Sequence, residues 1–220
     1  MLLDLTPYKN PDALRDLIAS FPRAKEYYEK RDPCESFESI GSSGSMFRVF
    51  RGIEKPSHIY KNWAFDQTQS KEFESKVLSL NTQDEFEKLH SALGDSLSDY
   101  WKDTAKGDGK EKILTPSHKL KLLDVFIKRA CELKLSNAGM NDKLLAFGHV
   151  PLDSLVFNAL DNIFSDVLLL AGRSMGDVKE YPAYQFYQNL IRQLMSELPS
   201  STQHPALYFE FYAWNLGREK

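Results

Sequence analysis

Apolar residues recur at intervals of three and four along most of the chain, a spacing that places them on one side of a helix. Thr82 and Glu85 have the spacing of a capping box, and the apolar residues after them mark the buried side of a long helix: Phe86, Leu89, Leu93, Leu97 and Trp101. Comparable patterns elsewhere predict roughly nine helices, with little or no sheet. The sequence therefore predicts an all-α fold.

A second informative stretch begins at Thr115. This residue is a suitable N-cap, and the proline after it suits the first helical position, so the apolar spacing behind them predicts a helix over 116–134. Within that helix, the spacing of Lys121, Asp124 and Lys128 places all three on one face.

Asp153 follows a proline and a leucine and precedes an apolar run that predicts a helix to about residue 170. It is therefore predicted to be the N-cap of that helix. Backbone N–H groups hold an N-capping carboxylate in a fixed direction, so one residue can serve both as a cap and as a reactive acid.

Two predictions near the N-terminus depend on local breaks in the pattern. Asn10 before Pro11 predicts a helix start, and Pro22 predicts a break followed by a short helix over 24–30. The alternating run 47–51 predicts a brief strand, although its two arginines among aromatic residues would also suit a nucleic-acid groove.

The other helices are predicted from caps and apolar spacing at residues 56–65, 69–80, 143–147, 184–197 and 206–216. Glycine-, serine- and proline-rich segments predict loops or turns at residues 41–45, 106–110, 137–139, 172–178 and 199–205.

The composition is that of a globular protein, with 42% hydrophobic and 27% charged residues. No apolar run approaches the length of a membrane span, and the N-terminus lacks the pattern of a secretory signal. The two cysteines, Cys34 and Cys131, are too few for a disulfide framework. We therefore expect a protein of the reducing cytoplasm.

The net charge of −3 conceals one basic segment. Residues 101–130 contain eight basic and four acidic residues, whereas the chain on both sides of them is acidic. This segment leads into Lys121, where it would form a phosphate-binding surface if the protein binds DNA. A solvated, charged helix face is the alternative interpretation.

Hydrolysis by a metal or a serine nucleophile is not indicated. No two of the five histidines are three or four positions apart, and there is no Gly-x-Ser-x-Gly motif. No metal and no cofactor are therefore expected.

The order and spacing of several residues resemble the helix-hairpin-helix DNA glycosylases, and among them the archaeal 8-oxoguanine glycosylases. Lys121, Lys128 and the Pro151-Leu152-Asp153 phrase match the lysines and the proline-hydrophobic-aspartate motif of that family. Near the C-terminus, Glu210 and Trp214 match an acidic residue and a tryptophan that hold the damaged base. The chain departs from the pattern by having Glu at this position and by lacking a glycine-rich hairpin before Lys121.

The resemblance implies a role for each of these residues. Lys121 would be the nucleophile that attacks C1′ of the damaged nucleotide, and Asp153 would stabilise the positive charge that develops on the sugar. A nucleophilic lysine must lose its proton, which a second cation such as Lys128 or the positive end of the helix would favour. Lys119 stays open as an alternative nucleophile. The predicted substrate-binding residues are Lys128, Pro151, Glu210, Trp214 and Trp63.

The resemblance also implies an architecture and a partner. It predicts a helical lobe over 36–152 and a second lobe of residues 1–35 with 153–220, the active site lying between them. The partner would be double-stranded DNA with a damaged base, bound by a monomer that flips the base out and excises it, 8-oxoguanine being the first candidate. The alternative is a non-catalytic helical module that binds nucleic acid or protein.

Overall fold

The computed structural model describes residues 6–35, 40, 45–50, 52–106, 113–164, 174–199 and 204–216. In this part of the chain the fold is all-α, as the apolar spacing predicts. The α-helices are α1 (Pro11–Lys30), α2 (Pro56–Gln69), α3 (Lys71–Leu78), α4 (Gln83–Thr104), α5 (Pro116–Glu132), α6 (Ala138–Phe147), α7 (Ser154–Phe164), α8 (Tyr181–Glu197) and α9 (Leu207–Leu216). Two-residue strands β1 (Asp32–Pro33) and β2 (Leu133–Lys134) pair in parallel.

The chain divides into two compact units. Unit 1 consists of Met1–Lys30 and His149–Lys220, and unit 2 consists of Arg31–Gly148. Unit 1 therefore contains α1, α7, α8 and α9, and unit 2 contains α2 to α6 with the strand pair.

Unit 2 is built around large buried aromatic side chains. The Trp63 ring of α2 meets Phe126 of α5 edge to face at 5.1 Å between ring centroids, and Phe50 lies 4.7 Å from Trp101 of α4. The predicted apolar side of α4 is buried throughout. Its predicted capping box is confirmed, because the Glu85 N–H donates to the Thr82 hydroxyl oxygen and the Glu85 carboxylate accepts from the Thr82 N–H.

Helix α5 begins and ends close to its predicted limits. The Thr115 hydroxyl oxygen accepts from the His118 N–H at 3.3 Å, as expected of the predicted N-cap, and proline occupies the first helical position. The helix ends at Glu132 because Leu133 turns to an extended conformation and pairs with β1. Its buried face includes Leu123, Phe126 and Ile127, which anchor it in the core of unit 2.

In unit 1, α9 packs against both α1 and α7. The Tyr28 ring of α1 stacks on Tyr208 of α9 at 6.1 Å, and the Tyr28 hydroxyl donates to the Leu207 carbonyl oxygen at 3.4 Å. All three of these residues are buried. The aromatic residues near the C-terminus are therefore largely core residues of this unit.

The predicted break at Pro22 is wrong, since α1 continues through this residue to Lys30. A proline inside a helix removes the hydrogen bond to the carbonyl of the residue four positions earlier, here Ile18. Ile18 lies on the exposed side of α1, where water can satisfy that carbonyl. The buried residues on both sides of the proline, Leu17 and Tyr28 among them, keep the two halves on one apolar surface.

The predicted strand at 47–51 is also wrong, because Ser45–Val49 forms a 3₁₀ helix. Phe47 and Phe50 are three residues apart, and this turn directs both rings inward, 6.3 Å from each other. Three-residue spacing and two-residue alternation overlap in a segment this short, so the pattern alone did not distinguish them.

Helices α2, α6 and α8 are longer than predicted, and α8 begins three residues early, at Tyr181. Helix α2 extends to Gln69, and α6 begins at Ala138 because the Asn137 side chain caps it by accepting from the Gly139 N–H at 2.9 Å. The loops predicted at 41–44 and 107–110, and the predicted extension of α7 to residue 170, lie outside the described residues. Among the helices described, none combines the length and apolar character needed to cross a bilayer.

Candidate functional site

Lys121 lies in the second turn of α5, and no acidic group among the described residues lies within 4.0 Å of its ammonium. The other two candidate lysines of this helix are paired. The Lys119 ammonium lies 3.3 Å from the Asp95 carboxylate, and the Lys128 ammonium lies 2.8 Å from that of Glu132. Of these lysines, Lys121 is therefore the one whose nitrogen is not committed to an ion pair in the described part of the chain.

Asp124 lies on the same helix but points into the core. It is fully buried, and its carboxylate lies 2.8 Å from Nε2 of the buried His90 on α4. Burial and the negative charge of Asp124 raise the pKa of the neighbouring Tyr60, so its hydroxyl keeps its proton. This polar contact between α4 and α5 fixes the rotation of the helix that carries Lys121, and the sequence patterns did not indicate it.

Asp153 is the N-cap of α7, as its position in the sequence predicts. One carboxylate oxygen, Oδ1, accepts hydrogen bonds from the N–H groups of Leu155 at 2.9 Å and Val156 at 3.0 Å. No donor among the described residues lies within hydrogen-bond distance of the second oxygen. The cap therefore fixes the carboxylate and leaves one oxygen able to face a ligand.

The segment before Asp153 is held by two residues of α8, Tyr184 and Gln188. The Tyr184 hydroxyl lies 2.5 Å from Nδ1 of the buried His149. The Gln188 side-chain amide accepts from the Val150 N–H at 3.0 Å and donates to the Val150 carbonyl oxygen at 2.8 Å. Tyr184 and Gln188 are one turn apart and both buried, so they hold the segment rigidly from one side.

Glu210 and Trp214 lie one turn apart on α9, as predicted, but differ in exposure. Glu210 is buried with 3% of its surface exposed, whereas Trp214 is 39% exposed. Pro151 is buried in the same unit. Since α9 packs against α7, the helix that Asp153 caps, unit 1 brings the predicted acid and the predicted base-holding residues onto neighbouring helices.

Trp63, predicted to bind the substrate, is buried in the core instead of exposed for stacking on a base. Only 1% of its surface is exposed, its ring packs on Phe126, and its Nε1–H donates to the Ser96 hydroxyl oxygen at 3.1 Å. In this conformation the indole has no exposed face on which a base could stack, so Trp63 serves the core of unit 2.

His118 was not among the candidates from the sequence, although it lies one helical turn before Lys121. The ring is half-buried and meets the Phe50 ring edge to face at 5.0 Å. Burial and the positive charge of Lys121 both lower the pKa of the His118 imidazole. The ring is therefore neutral at neutral pH and able to accept a proton.

The basic segment 101–130 is partly neutralised in the structure. Besides Lys119 and Lys128, Arg129 is paired, with the carboxylates of Asp32 and Glu132. Of the described cations in this segment, those with no acid within 4.0 Å are Lys102, Lys106 and Lys121.

Chemically, unit 2 offers a primary amine that has no acidic partner in the described part of the chain and that lies near a neutral imidazole. Unit 1 offers an oriented carboxylate, with a buried acid and an exposed indole on the adjacent helix. An amine of this kind can form an imine with an aldehydic carbon, and a carboxylate can stabilise a sugar cation. No family model, curated protein or solved structure matches this chain.

Proposed function

We propose that the protein is a DNA glycosylase with lyase activity that excises an oxidised purine, 8-oxoguanine being the first candidate, through an imine on Lys121. The observation that carries the proposal is the contrast on α5: Lys119 and Lys128 are ion-paired, and Lys121 has no acidic partner among the described residues. An ion pair commits an ammonium to its acidic partner, whereas an amine without such a partner is available to attack C1′.

Asp153 has the geometry of a group that stabilises positive charge. As the base departs, the sugar acquires oxocarbenium character, and a carboxylate oriented in advance lowers the energy of that state. Two N–H groups orient Oδ1, and no described donor binds the second oxygen. The bonds from Gln188 and Tyr184 to the preceding residues limit movement of the cap, so the carboxylate keeps one direction throughout the reaction.

The base-recognition role belongs to α9 in this proposal. The exposed Trp214 indole is suited to stack on a flipped purine, a contact that contributes roughly 1–3 kcal/mol and does not depend on base identity. Discrimination requires an acceptor for the N7–H group that 8-oxoguanine has and guanine lacks. Glu210, or the carbonyl of Pro151 as the family resemblance suggests, would provide that acceptor.

The proposed partner is duplex DNA, bound by a monomer in the cytoplasm. Lys102, Lys106 and Lys121 provide the unpaired positive charge in the described part of the basic segment, and phosphate contacts of this kind make binding sensitive to salt. The ion pairs of Lys119, Lys128 and Arg129 reduce the charge that this segment presents to DNA.

The test is reductive trapping. The protein is incubated with a duplex that contains one 8-oxoguanine, in the presence of borohydride, and the covalent protein–DNA product is quantified on a denaturing gel. The wild type and Lys119→Gln should give the trapped product, and Lys121→Gln should give none. Equal trapping by Lys121→Gln would place the nucleophile elsewhere. Binding without trapping or base release would support the helical binding module instead.

A further inference from the structure

His118 and Lys121 share one edge of α5, and the direction of helical side chains brings them together. Residues three positions apart have Cβ atoms about 5–6 Å from each other. Each Cα–Cβ bond tilts toward the helix N-terminus, which directs the base of the Lys121 side chain toward the turn that contains His118. The positive charge of Lys121 contributes to the lowered pKa of the His118 imidazole, as expected of two residues this close.

The position of the imidazole is fixed from two sides. The backbone N–H of His118 donates to the Thr115 hydroxyl oxygen at 3.3 Å, and the His118 ring packs against the buried Phe50 ring. Phe50 is in turn packed on Trp101. No described acid lies within 4.0 Å of the His118 ring, so nothing in this part of the chain holds the ring in its charged form.

We infer that His118 is the general base of the lyase step, removing the C2′ proton from the imine that Lys121 forms with the sugar. This inference rests on the proposed function and assigns a residue to the step that follows base excision. C2′ is one bond from C1′, the carbon that the Lys121 nitrogen holds, so its proton lies close to the amine that His118 neighbours.

The step balances as follows. His118 takes the C2′ proton, the C–H electron pair forms the C1′=C2′ bond, and the C=N pair returns to nitrogen, which gives a neutral enamine. The nitrogen lone pair then re-forms the C=N bond, the C1′=C2′ pair moves to C2′–C3′, and the 3′-phosphate leaves with the C3′–O pair. Water hydrolyses the conjugated imine and releases Lys121, and the proton on His118 passes to solvent.

Charge also favours this transfer. Before it, the iminium nitrogen carries a positive charge beside His118, which keeps the imidazole neutral and ready to accept. Removal of the C2′ proton neutralises the nitrogen as the imidazole becomes charged, so this proton transfer creates no second positive charge at the short separation. During the proton transfer the pair therefore holds one positive charge, which moves from the Lys121 nitrogen to His118.

The test uses a duplex with a preformed abasic site, so that base excision is bypassed, and compares the wild type with His118→Gln. Borohydride trapping measures imine formation, and strand scission without alkali measures elimination. For His118→Gln we expect trapping within about twofold of wild type and scission slowed at least about tenfold. His204→Gln is the matched control, because His204 is another partly buried histidine against a phenylalanine ring, that of Phe21, and should leave both readings unchanged.

A second variant separates chemistry from folding. In His118→Ala, free imidazole should fit the space beside Phe50 and restore scission, which a purely structural role would not allow. Scission at the wild-type rate by His118→Gln would overturn the assignment, as would a parallel loss of trapping and scission that imidazole does not restore. If the wild-type protein neither forms the trapped product nor cleaves the strand, the proposed function is overturned together with this step. If the wild type does both and His118→Gln cleaves at the wild-type rate, only the His118 assignment is overturned.

Discussion

The two hydrogen bonds between the Gln188 side chain and the Val150 backbone give a prediction that links stability to the proposed site. Both residues are buried, and the Gln188 amide satisfies the N–H and the carbonyl of Val150 together. Gln188→Leu keeps most of the volume but leaves both backbone groups without partners. An unsatisfied buried polar group costs about 1–3 kcal/mol, so two of them, offset in part by the added apolar surface, should lower the free energy of unfolding by about 2–4 kcal/mol.

Chemical denaturation with linear extrapolation measures this loss, and thermal unfolding should show it as a decrease of about 5–15 °C in Tm. Gln193→Leu is the matched control, because Gln193 lies on the same helix and its side chain bonds Glu197 in an exposed contact. That variant should change stability by about 0.5 kcal/mol or less. If Gln188→Leu is as stable as the control, the two hydrogen bonds do not contribute the predicted free energy of unfolding. Excision should also fall in Gln188→Leu, because Asp153 lies three residues beyond Val150.

Two further predictions concern the proposed chemistry. In Asp153→Asn the asparagine should cap the helix nearly as well as aspartate, so stability should change by about 1 kcal/mol or less. Excision should fall roughly 100-fold or more while DNA binding persists. A large decrease in Tm together with the loss of excision would indicate that capping is the main role of Asp153. Trp214→Ala should slow processing of 8-oxoguanine roughly 5- to 100-fold, and Glu210→Gln should also slow it. Affinity for undamaged DNA should stay unchanged in both, and wild-type rates in both would exclude α9 from the pocket.

Helix caps were the most predictable part of this fold. The side chains of Thr82, Thr115 and Asp153 each bond backbone N–H groups two or three residues ahead, so everything that the cap requires is contained in a few consecutive residues. The apolar spacing behind each cap then identifies the buried face. For this reason the long helices α4 and α5 were predicted with nearly their observed limits.

The failures occurred where distant packing decides between local alternatives. Pro22 has the local character of a helix breaker, yet the apolar surface on both sides of it keeps α1 continuous. Apolar and polar residues alternate over 47–51, yet the Phe50 ring packs in the core against Trp101, about fifty positions further along the chain. Neither outcome can be derived from the residues next to the segment, because the partner that decides it lies far away in the sequence.

The same argument explains which parts of the candidate site the sequence revealed. Lys121 and Asp153 were proposed from their spacing, and the ion pair of Lys119 with Asp95 on another helix adds a reason for preferring Lys121 to Lys119. Gln188 and Tyr184 look like ordinary polar and aromatic residues of an amphipathic helix until the fold brings His149 and Val150 against them. A candidate reactive group can thus be proposed from its chain position, whereas the contacts that surround and orient it come from elements that only the folded chain brings together.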